Sequence, residues 1–218
     1  PCIYCYCCVS QIYVSKQIKC AVNPEAGFEK ERELITSDRP RHVAVVGAGP
    51  AGLEVARRLS FRGFKVSLIE SGKRLGGSLP FASIAYKTNE KLLKWLRRQV
   101  EQSTVEIHIN TEATVDTLRR MNFDEIIIAT GAQRSMPEGI PGSDRDFVFS
   151  GEEMRALVLS ELHPGLKRKT NALKRLMVKA GALTGTTSMP ELVRQASKLW
   201  LPLGKKVTII GSELVGME

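Results

Sequence analysis

All five cysteines of this 218-residue chain lie within its first 20 residues. Four of them, Cys2, Cys5, Cys8 and Cys20, have the spacing C-x2-C-x2-C-x11-C, which offers three thiolates from a short loop and a fourth from downstream. Thiolates brought this close repel one another unless a cation or a cluster takes up their charge. A disulfide framework would instead spread its cysteines over the fold that it staples. The segment therefore predicts a metal site.

The spacing also bears on the kind of metal. Zinc ribbons usually supply two separated C-x2-C pairs, whereas three close cysteines and a distant fourth favour a cubic 4Fe-4S cluster. Structural zinc stays an alternative, and unligated buried thiols are a third interpretation. Cys7 replaces Cys8 as the third ligand if the loop is drawn differently, so that choice stays open.

A glycine-rich turn begins a new region of the chain. The Val-rich residues 42–46 predict a buried parallel strand, and the sequence Gly47-Ala48-Gly49-Pro50-Ala51-Gly52 follows directly, before apolar residues at helical spacing. Gly47 permits a tight turn, Gly49 lets a pyrophosphate approach the backbone, and Gly52 lets the helix lie close to the strand. Phosphates would sit at the N-terminus of that helix.

A second predicted strand, residues 65–69, ends in Glu70. A carboxylate at this tip accepts hydrogen bonds from both ribose hydroxyls and repels a 2′-phosphate, which favours FAD or NAD over NADP. The pattern then predicts an amphipathic helix near residues 90–102, a strand near 105–109 and a buried strand within 123–131. The fold class is therefore α/β, with a Rossmann-like parallel sheet.

Composition excludes several classes of function. The chain carries 32 Lys and Arg against 23 Asp and Glu, a net charge of +9, but the basic residues are dispersed and aromatics make up only 6%. We therefore expect no nucleic-acid partner. No apolar run approaches the roughly 20 residues of a membrane span, and the chain opens without a charged-then-apolar stretch. We therefore expect neither a membrane span nor a secretory signal. We expect a piece of a longer polypeptide, because there is no initiator Met and the chain ends within a phosphate-binding pattern.

The order of these motifs resembles a known family. The cysteine cluster, the Gly47 turn, Glu70 with Gly76-Gly77, and residues 127–131 followed by Ile140-Pro141-Gly142 resemble the C-terminal half of the bacterial 2,4-dienoyl-CoA reductase and trimethylamine dehydrogenase family. These are old yellow enzyme relatives with extra domains. The resemblance implies an FMN-holding TIM barrel, a 4Fe-4S cluster, and FAD-binding and NAD(P)-binding domains. In the reductases, hydride passes from the nicotinamide to FAD, and single electrons then cross the cluster to FMN.

The resemblance also implies which residues bind each group. Cys2, Cys5, Cys8 and Cys20 would hold the cluster. The FAD pyrophosphate would face Gly47, Gly49, Ala51 and Gly52, and the adenosine ribose would face Glu70. Ala113 would lie near the adenine. The remainder of FAD would be lined by Arg74, Gly77, Ser78, Ala129, Thr130 and Gly131. The substrate-reducing barrel is missing from the chain, so no catalytic residue is assigned.

Two departures from the family pattern matter. Tyr4 stands where the family usually has glycine between the first two ligands, so the loop must accommodate a bulky ring. Residues 206–210 predict a strand before a second fingerprint, Gly211 to Gly216, but its middle glycine is replaced by Glu213. An acid there weakens pyrophosphate binding unless it turns away. The glycines that remain in this fingerprint, Gly211 and Gly216, are the predicted NAD(P)-binding residues. The choice between NADH and NADPH stays open.

Residues 151–205 predict three helices, near 151–162, 165–180 and 189–200. The middle one is basic. One interpretation is a helix that attracts a membrane surface, an acidic partner or a phosphorylated cofactor. The other is a helix with a solvated basic face, whose apolar side packs on a domain. The second interpretation is favoured.

The sequence as a whole predicts an iron-sulfur segment and linker (residues 1–40), an incomplete FAD-binding Rossmann-like domain (41–150), and a helical segment with the start of a truncated NAD(P)-binding domain (151–218). We expect the electron-transfer portion of a cytoplasmic NAD(P)H-dependent reductase of the enoate or 2,4-dienoyl-CoA type. Its partners would be NAD(P)H and the missing FMN barrel. An amine dehydrogenase and a zinc-stabilised FAD or NAD module without turnover are the alternatives, and the oligomeric state is not predicted.

Overall fold

The chain divides into two compact units. The first comprises Pro1–Leu79 and Thr88–Gly131, and the second comprises Pro80–Lys87 and Ala132–Glu218. The structure, a computed structural model, describes residues 2–132, 139–159, 163–170, 176, 180, 189–199 and 206–211. The cysteine segment and the glycine turn belong to the same unit. The three-part division given by the sequence stays a prediction.

The first unit is built on a parallel sheet, whose described strands number four in the order β3-β2-β1-β4. β1 (His42–Val46) pairs with β2 (Lys65–Ile69) on one side and with β4 (Glu125–Ile128) on the other, and β3 (Glu106–His108) pairs with β2. In this register Val45 lies opposite both Leu68 and Ile127. The predicted α/β fold with a parallel sheet is thereby confirmed.

Helices connect the strands, as parallel pairing requires. α2 (Pro50–Phe61) joins β1 to β2, and α5 (Val115–Met121) joins β3 to β4. Between β2 and β3 lie α3 (Leu79–Ala85), which crosses from the first unit into the second, and α4 (Thr88–Glu101). The glycine turn therefore stands at the carboxyl end of a central strand, the edge at which open parallel sheets bind their ligands.

Helices α2 and α4 share one apolar core with the sheet. On α4 the buried positions recur at helical spacing, which is the amphipathic pattern that predicted this helix. Burial of a large aliphatic side chain contributes about 1.5–3 kcal/mol, so this cluster stabilises the site's scaffold. Its members include Val45, Leu53, Ala56, Val66, Leu68, Leu93, Leu96 and Val100.

Strand β4 differs from the prediction. The sequence predicts a buried strand, but the exposed fractions of Ile126 and Ile128 are 46% and 67%. The reason lies in the strand's position, since β4 is an edge strand that pairs only with β1 among the described residues. An apolar run alone does not distinguish an edge strand from a central one.

The cysteine segment contains a short helix that the sequence did not predict, α1 (Cys7–Tyr13). Before it, Tyr4 and Tyr6 have left-handed backbone conformations with φ of 56° and 55°. This conformation costs a residue with a side chain roughly 1–2 kcal/mol, which gives a physical reason for a glycine preference at position 4. The ring of Tyr4 is exposed, so the loop accommodates it by turning it outward.

The second unit contains α6 (Gly151–Leu159), α7 (Leu166–Lys169) and α8 (Pro190–Leu199). The basic middle helix is described only over α7 and at residues 176 and 180. Lys167 and Arg168 are exposed there, whereas the side chain of Lys169 is only 9% exposed and contacts Glu153 at 2.7 Å. Lys169 is thus a buried ion-pair partner and does not belong to a solvated face.

The predicted strand over residues 206–210 is not found. Within the described part of the chain these residues pair with no other strand, and Val207, Ile209 and Ile210 are exposed. A strand exists only through a hydrogen-bonded neighbour, which a local apolar run does not specify. Among the described residues, no helix is both long enough and apolar enough to cross a membrane.

Candidate functional site

The glycine turn between β1 and α2 is closed against its neighbours. Gly47 has a left-handed φ of 101°, and its N–H donates to the carbonyl of Ile69 at 2.8 Å. A Cβ on Gly47 would lie 2.4 Å from the oxygen of Ala129, and one on Gly52 would lie 1.9 Å from the oxygen of Gly47. Neither position has room for a side chain, so turn, helix and the end of β4 form one tight junction.

Gly49 faces the opposite way, into open space. A Cβ there would meet no atom within 4 Å. Gly49 is the N-cap of α2, Pro50 occupies the first helical position, and Ala51 is exposed. The N–H groups of a first turn have no acceptor within the helix, and the helix dipole favours negative charge at this end. The N-terminus of α2 is therefore accessible to an anionic group.

The carboxylate of Glu70 lies beside this turn. Its Oε2 accepts a hydrogen bond from the Ala48 N–H at 2.8 Å, and its Oε1 accepts one from the Gly72 N–H at 2.7 Å. Oε1 also accepts a hydrogen bond from the Ser71 hydroxyl at 3.4 Å. An ionised carboxylate offers about four acceptor positions, so Oε2 keeps capacity for a further donor. Glu70 is thus both fixed in orientation and able to bind hydroxyl groups.

The second glycine pair lies directly over the first. The Gly76 N–H donates to the carbonyl of Ala48 at 2.7 Å. Gly77 has a φ of 53°, and a Cβ on it would lie 2.8 Å from the Cα of Gly49. Ser78 follows in an exposed position. The two glycine loops consequently form the two sides of one cradle at the N-terminus of α2.

Arg97, which the sequence reasoning missed, supports this cradle from α4. Its Nε and Nη2 both donate to the carbonyl of Leu75, at 2.9 and 2.5 Å. Burial lowers the pKa of the Arg97 guanidinium, and the nearby charge of Arg74 lowers it further; an arginine nevertheless stays protonated in proteins. Arg97 thus holds this loop at Leu75, and Arg74 adds a second positive charge on the loop itself. The pattern of α4 gives no signal for Arg97, because its partner is a backbone carbonyl on another element.

The other predicted FAD residues lie at the same edge of the sheet. The Ala129 N–H donates to the carbonyl of Val46 at 2.7 Å, while Thr130 and Gly131 after it are exposed. Ala113 is half-buried, and the segment before it is tied to the Glu70 loop by Thr111 N–H, which donates to the Glu70 carbonyl at 2.9 Å. These residues thus lie in loops at the carboxyl edge of the sheet, and their contact with FAD stays a prediction.

The predicted NAD(P) residues are described only in part. Gly211, in the second unit, has a left-handed φ of 117° and open space at its Cβ position. Gly216 and Glu213 lie outside the described residues. The arrangement of the second fingerprint therefore stays a prediction.

The cysteines are all free thiols; Cys2 and Cys5 are exposed, and Cys7, Cys8 and Cys20 are half-buried. Two backbone N–H groups point at sulfur atoms: Tyr4 N–H donates to Cys2 Sγ at 3.3 Å and Val22 N–H donates to Cys20 Sγ at 3.4 Å. Such hydrogen bonds stabilise thiolate charge and help set the reduction potential of iron-sulfur clusters.

The donor set is compatible with a 4Fe-4S cluster, whose presence stays a prediction. Among the described residues, which include all five cysteines, no three Cys, His, Asp or Glu side chains converge as one metal ion requires. A lone zinc ion needs that convergence. In a cubic cluster each thiolate binds a different iron, so its sulfur ligands need not meet at one point. The N–H groups directed at Cys2 and Cys20 suit the cluster as well.

The linker after the last cysteine lies along the outer face of α2. Arg58 donates through Nη1 to Glu25 Oε1 at 2.8 Å and through Nη2 to the carbonyl of Arg32 at 2.9 Å, and Arg62 donates to the carbonyl of Ile35 at 3.1 Å. A cavity of about 510 Å³ separates part of this linker from α2. Its lining mixes charged and apolar side chains and includes neither Gly49 nor Glu70, so we assign it no cofactor.

Comparisons with known proteins bear on the family of this chain. The family described as pyridine nucleotide-disulphide oxidoreductase matches residues 41–218. Cinnamate reductase of Clostridium sporogenes is 31% identical over 214 residues, 96% of this chain and 29% of that protein. A solved 2-naphthoyl-CoA reductase complex has a TM-score of 0.68 and 26% identity over 74% of this chain and 25% of that chain. Histamine dehydrogenase from Rhizobium sp. 4-9 has a TM-score of 0.60 and 28% identity over 64% and 22%, respectively.

The chain spans less than a third of the length of each of these three relatives. They are reductases and an amine dehydrogenase, the two kinds of enzyme in the predicted family. The resemblance inferred from the order of the motifs is therefore confirmed, and so is the assignment to the flavin-dependent oxidoreductases.

Proposed function

This chain belongs to the pyridine nucleotide-disulphide oxidoreductase family, and on that premise we propose that it is the electron-transfer portion of a cytoplasmic NAD(P)H-dependent reductase of the enoate or 2,4-dienoyl-CoA type. It passes electrons from NAD(P)H through FAD to a 4Fe-4S cluster, and on to FMN in a barrel of the same polypeptide. The substrate is selected in that barrel, so this chain does not identify it.

One observation carries the proposal: the cradle that the two glycine loops form over the N-terminus of α2. Gly49 faces open space, Gly77 lies against it, and Glu70 is fixed beside both. A ligand with a pyrophosphate and an adenosine ribose fits this order of an exposed helix end followed by a carboxylate. The second glycine loop supports a ligand that extends past its pyrophosphate, as FAD does.

Each residue of the cradle contributes binding or orientation. The N-terminus of α2 attracts the phosphates, Glu70 accepts hydrogen bonds from the ribose, and Arg74 adds positive charge beside them. Ser78 and residues 129–131 border the remainder of the ligand. When bound, FAD supplies the hydride and electron chemistry, so none of these side chains needs to act as an acid or a base.

The cysteine segment supplies the second redox site of the proposal. Cys2, Cys5, Cys8 and Cys20 are the ligands, with the N–H groups of Tyr4 and Val22 stabilising the charge on two of the sulfurs. The segment packs in the same compact unit as the cradle. That shared unit supports an exchange of electrons between the two sites.

The experiment is an anaerobic absorption spectrum of the full-length protein, combined with iron, sulfide and zinc analysis. We expect flavin and cluster absorption, iron with sulfide, and bleaching on addition of NADH or NADPH. Colourless protein would overturn the proposal. Stoichiometric zinc without sulfide would instead support the zinc-stabilised module without turnover.

The likeness to histamine dehydrogenase favours one alternative function, an amine dehydrogenase. In that case electrons would leave the cluster for an external carrier, and the second fingerprint would bind no nicotinamide. Glu213 in place of a glycine is compatible with this alternative. Bleaching of the flavin by pyridine nucleotide would contradict it, whereas bleaching only by an amine would support it.

A further inference from the structure

The cysteine segment is joined to the sheet core by two apolar side chains that flank predicted ligands. Ile3 lies between Cys2 and Cys5, and Val22 follows Cys20 by two residues. Both side chains are partly buried and pack against the core cluster that α2, α4 and the sheet share. The two ends of the sulfur-bearing loop are therefore anchored on the unit that carries the glycine cradle.

A single side chain of α4 holds the first of these anchors. Thr88, the first residue of α4, donates from its Oγ1 to the carbonyl oxygen of Ile3 at 3.0 Å. The contact is partly buried, which limits competition from water. It ties the helix that lies on the core directly to the backbone between two predicted ligands.

The peptide group held by Thr88 is also the one that contacts a sulfur. The carbonyl of Ile3 and the N–H of Tyr4 belong to the same peptide unit, and that N–H donates to Cys2 Sγ at 3.3 Å. In a planar trans peptide the C=O and the N–H point in opposite directions. A hydroxyl that fixes the carbonyl on one side therefore directs the N–H toward the sulfur on the other.

We propose that Thr88 is a positioning residue for the iron-sulfur site: by holding the Ile3–Tyr4 peptide it directs the Tyr4 N–H at Cys2 Sγ and fixes the Cys2–Cys5 turn on the FAD-binding unit. This inference rests on the proposed function. Thr88 contacts no predicted cofactor and acts only through the peptide. The N–H dipole stabilises the more negative, reduced form of a cluster, so weaker alignment makes the reduction potential more negative.

The test compares Thr88→Val, which keeps the shape of the side chain but lacks the hydroxyl, with Thr88→Ser, which keeps the hydroxyl. Lys91→Gln, an exposed position on the same helix, is the matched control. In the full-length holoprotein we would measure FAD, iron and sulfide content, the midpoint potential of the cluster by redox titration with EPR, and hydrogen exchange at the Tyr4 amide.

We expect Thr88→Val to retain FAD and iron while amide exchange at Tyr4 rises about fivefold, the size of one ordinary hydrogen bond. A fivefold change in the reduction equilibrium would lower the potential by about 40 mV, at about 59 mV per tenfold. Thr88→Ser and Lys91→Gln should keep the wild-type potential and exchange.

A wild-type potential and exchange rate in iron-loaded Thr88→Val would overturn this proposal alone, and so would an equal shift in Thr88→Ser or Lys91→Gln. Full-length wild-type protein without iron and sulfide would overturn the proposed function and this inference together.

Discussion

A Cβ atom on Gly77 would lie 2.8 Å from the Cα atom of Gly49. The two glycines come from different loops, one before α2 and one after β2, and they touch where the N-terminus of α2 is open. Because the obstructing atom is backbone, it does not rotate out of the way as a flexible side chain would. The shape of the cradle thus depends on the absence of a single methyl group.

Gly77→Ala should weaken FAD binding by about tenfold or more, equivalent to about 1.4 kcal/mol, because the added methyl pushes the second loop away from Gly49. The measurement is a flavin fluorescence titration of the deflavinated full-length protein. Gly139→Ala is a matched control: Gly139 also has a left-handed φ, 79°, but no atom within 4 Å of its Cβ position. Equal FAD affinities for the two variants would contradict the prediction.

Glu70→Gln should also weaken FAD binding. The amide keeps the size of the side chain but presents a donor to either the Ala48 or the Gly72 N–H, and it leaves a weaker acceptor for the ribose. A hydrogen bond to a charged group contributes about 1.5–3 kcal/mol, so loss of the charged acceptor should raise the FAD dissociation constant about 10- to 150-fold. Glu112→Gln, at an exposed position, should not change it. Unaltered affinity in Glu70→Gln would remove Glu70 from the site.

Substitution of single cysteines should decide the third ligand. Cys7 and Cys8 are adjacent in α1 and both are half-buried, so burial does not separate them. Serine removes the thiolate with little change in size. We expect Cys8→Ser to lose iron and sulfide during anaerobic purification and Cys7→Ser to retain both. Elemental analysis together with EPR checks this. Loss of iron and sulfide in Cys7→Ser, with both retained in Cys8→Ser, would make Cys7 the third ligand.

Lys169→Met should destabilise the second unit. It leaves the Glu153 carboxylate, 7% exposed, without its buried counter-charge, and breaking a buried pair in this way costs about 3–5 kcal/mol. Lys167→Met changes an exposed neighbour and should shift the free energy of unfolding by less than about 0.5 kcal/mol. Denaturant unfolding of the full-length protein compares the two variants, and equal stabilities would contradict a structural function for the pair.

The same pair predicts a dependence of stability on pH. Burial alone would raise the pKa of the Glu153 carboxyl, but hydrogen bonds from Lys169 and Ser150 outweigh burial and hold the pKa below its ordinary value. The stabilisation is therefore fully present above the unfolded pKa of 4.5 and is lost as pH falls through the lower folded pKa. Glu153→Gln has no carboxyl to protonate at this position, so its free energy of unfolding should fall less than that of the wild type as the pH is lowered. Denaturant unfolding measured across acidic pH would show this difference.

The sequence predicts local elements of this fold well and non-local contacts poorly. The Val-rich strand, the glycine turn and the helix after it are specified within residues 42–61, and the leucine spacing of α4 specifies its buried face. The exposure of β4 depends on what lies beside it in the sheet, which its own isoleucines do not encode.

The supports of the candidate site are hidden from sequence reasoning for a related reason. Arg97 and Thr88 both donate to backbone carbonyls on distant segments, and a carbonyl has no sequence signature. The ligand side chains and the glycines carry recognisable spacing, whereas the groups that orient them do not. Lys169 likewise belongs to a run of basic residues, and nothing in that run distinguishes it from its neighbours. Only the contact with Glu153 does so.

Helix α2 has its glycine turn at one end and Arg58, clasped by the linker, near the other. If the glycine turn and α2 were grafted onto another scaffold without the linker, Arg58 would therefore lose both of its partners, Glu25 and the Arg32 carbonyl. The smallest fragment that keeps this nucleotide pocket intact must therefore begin close to the last cysteine, upstream of Glu25.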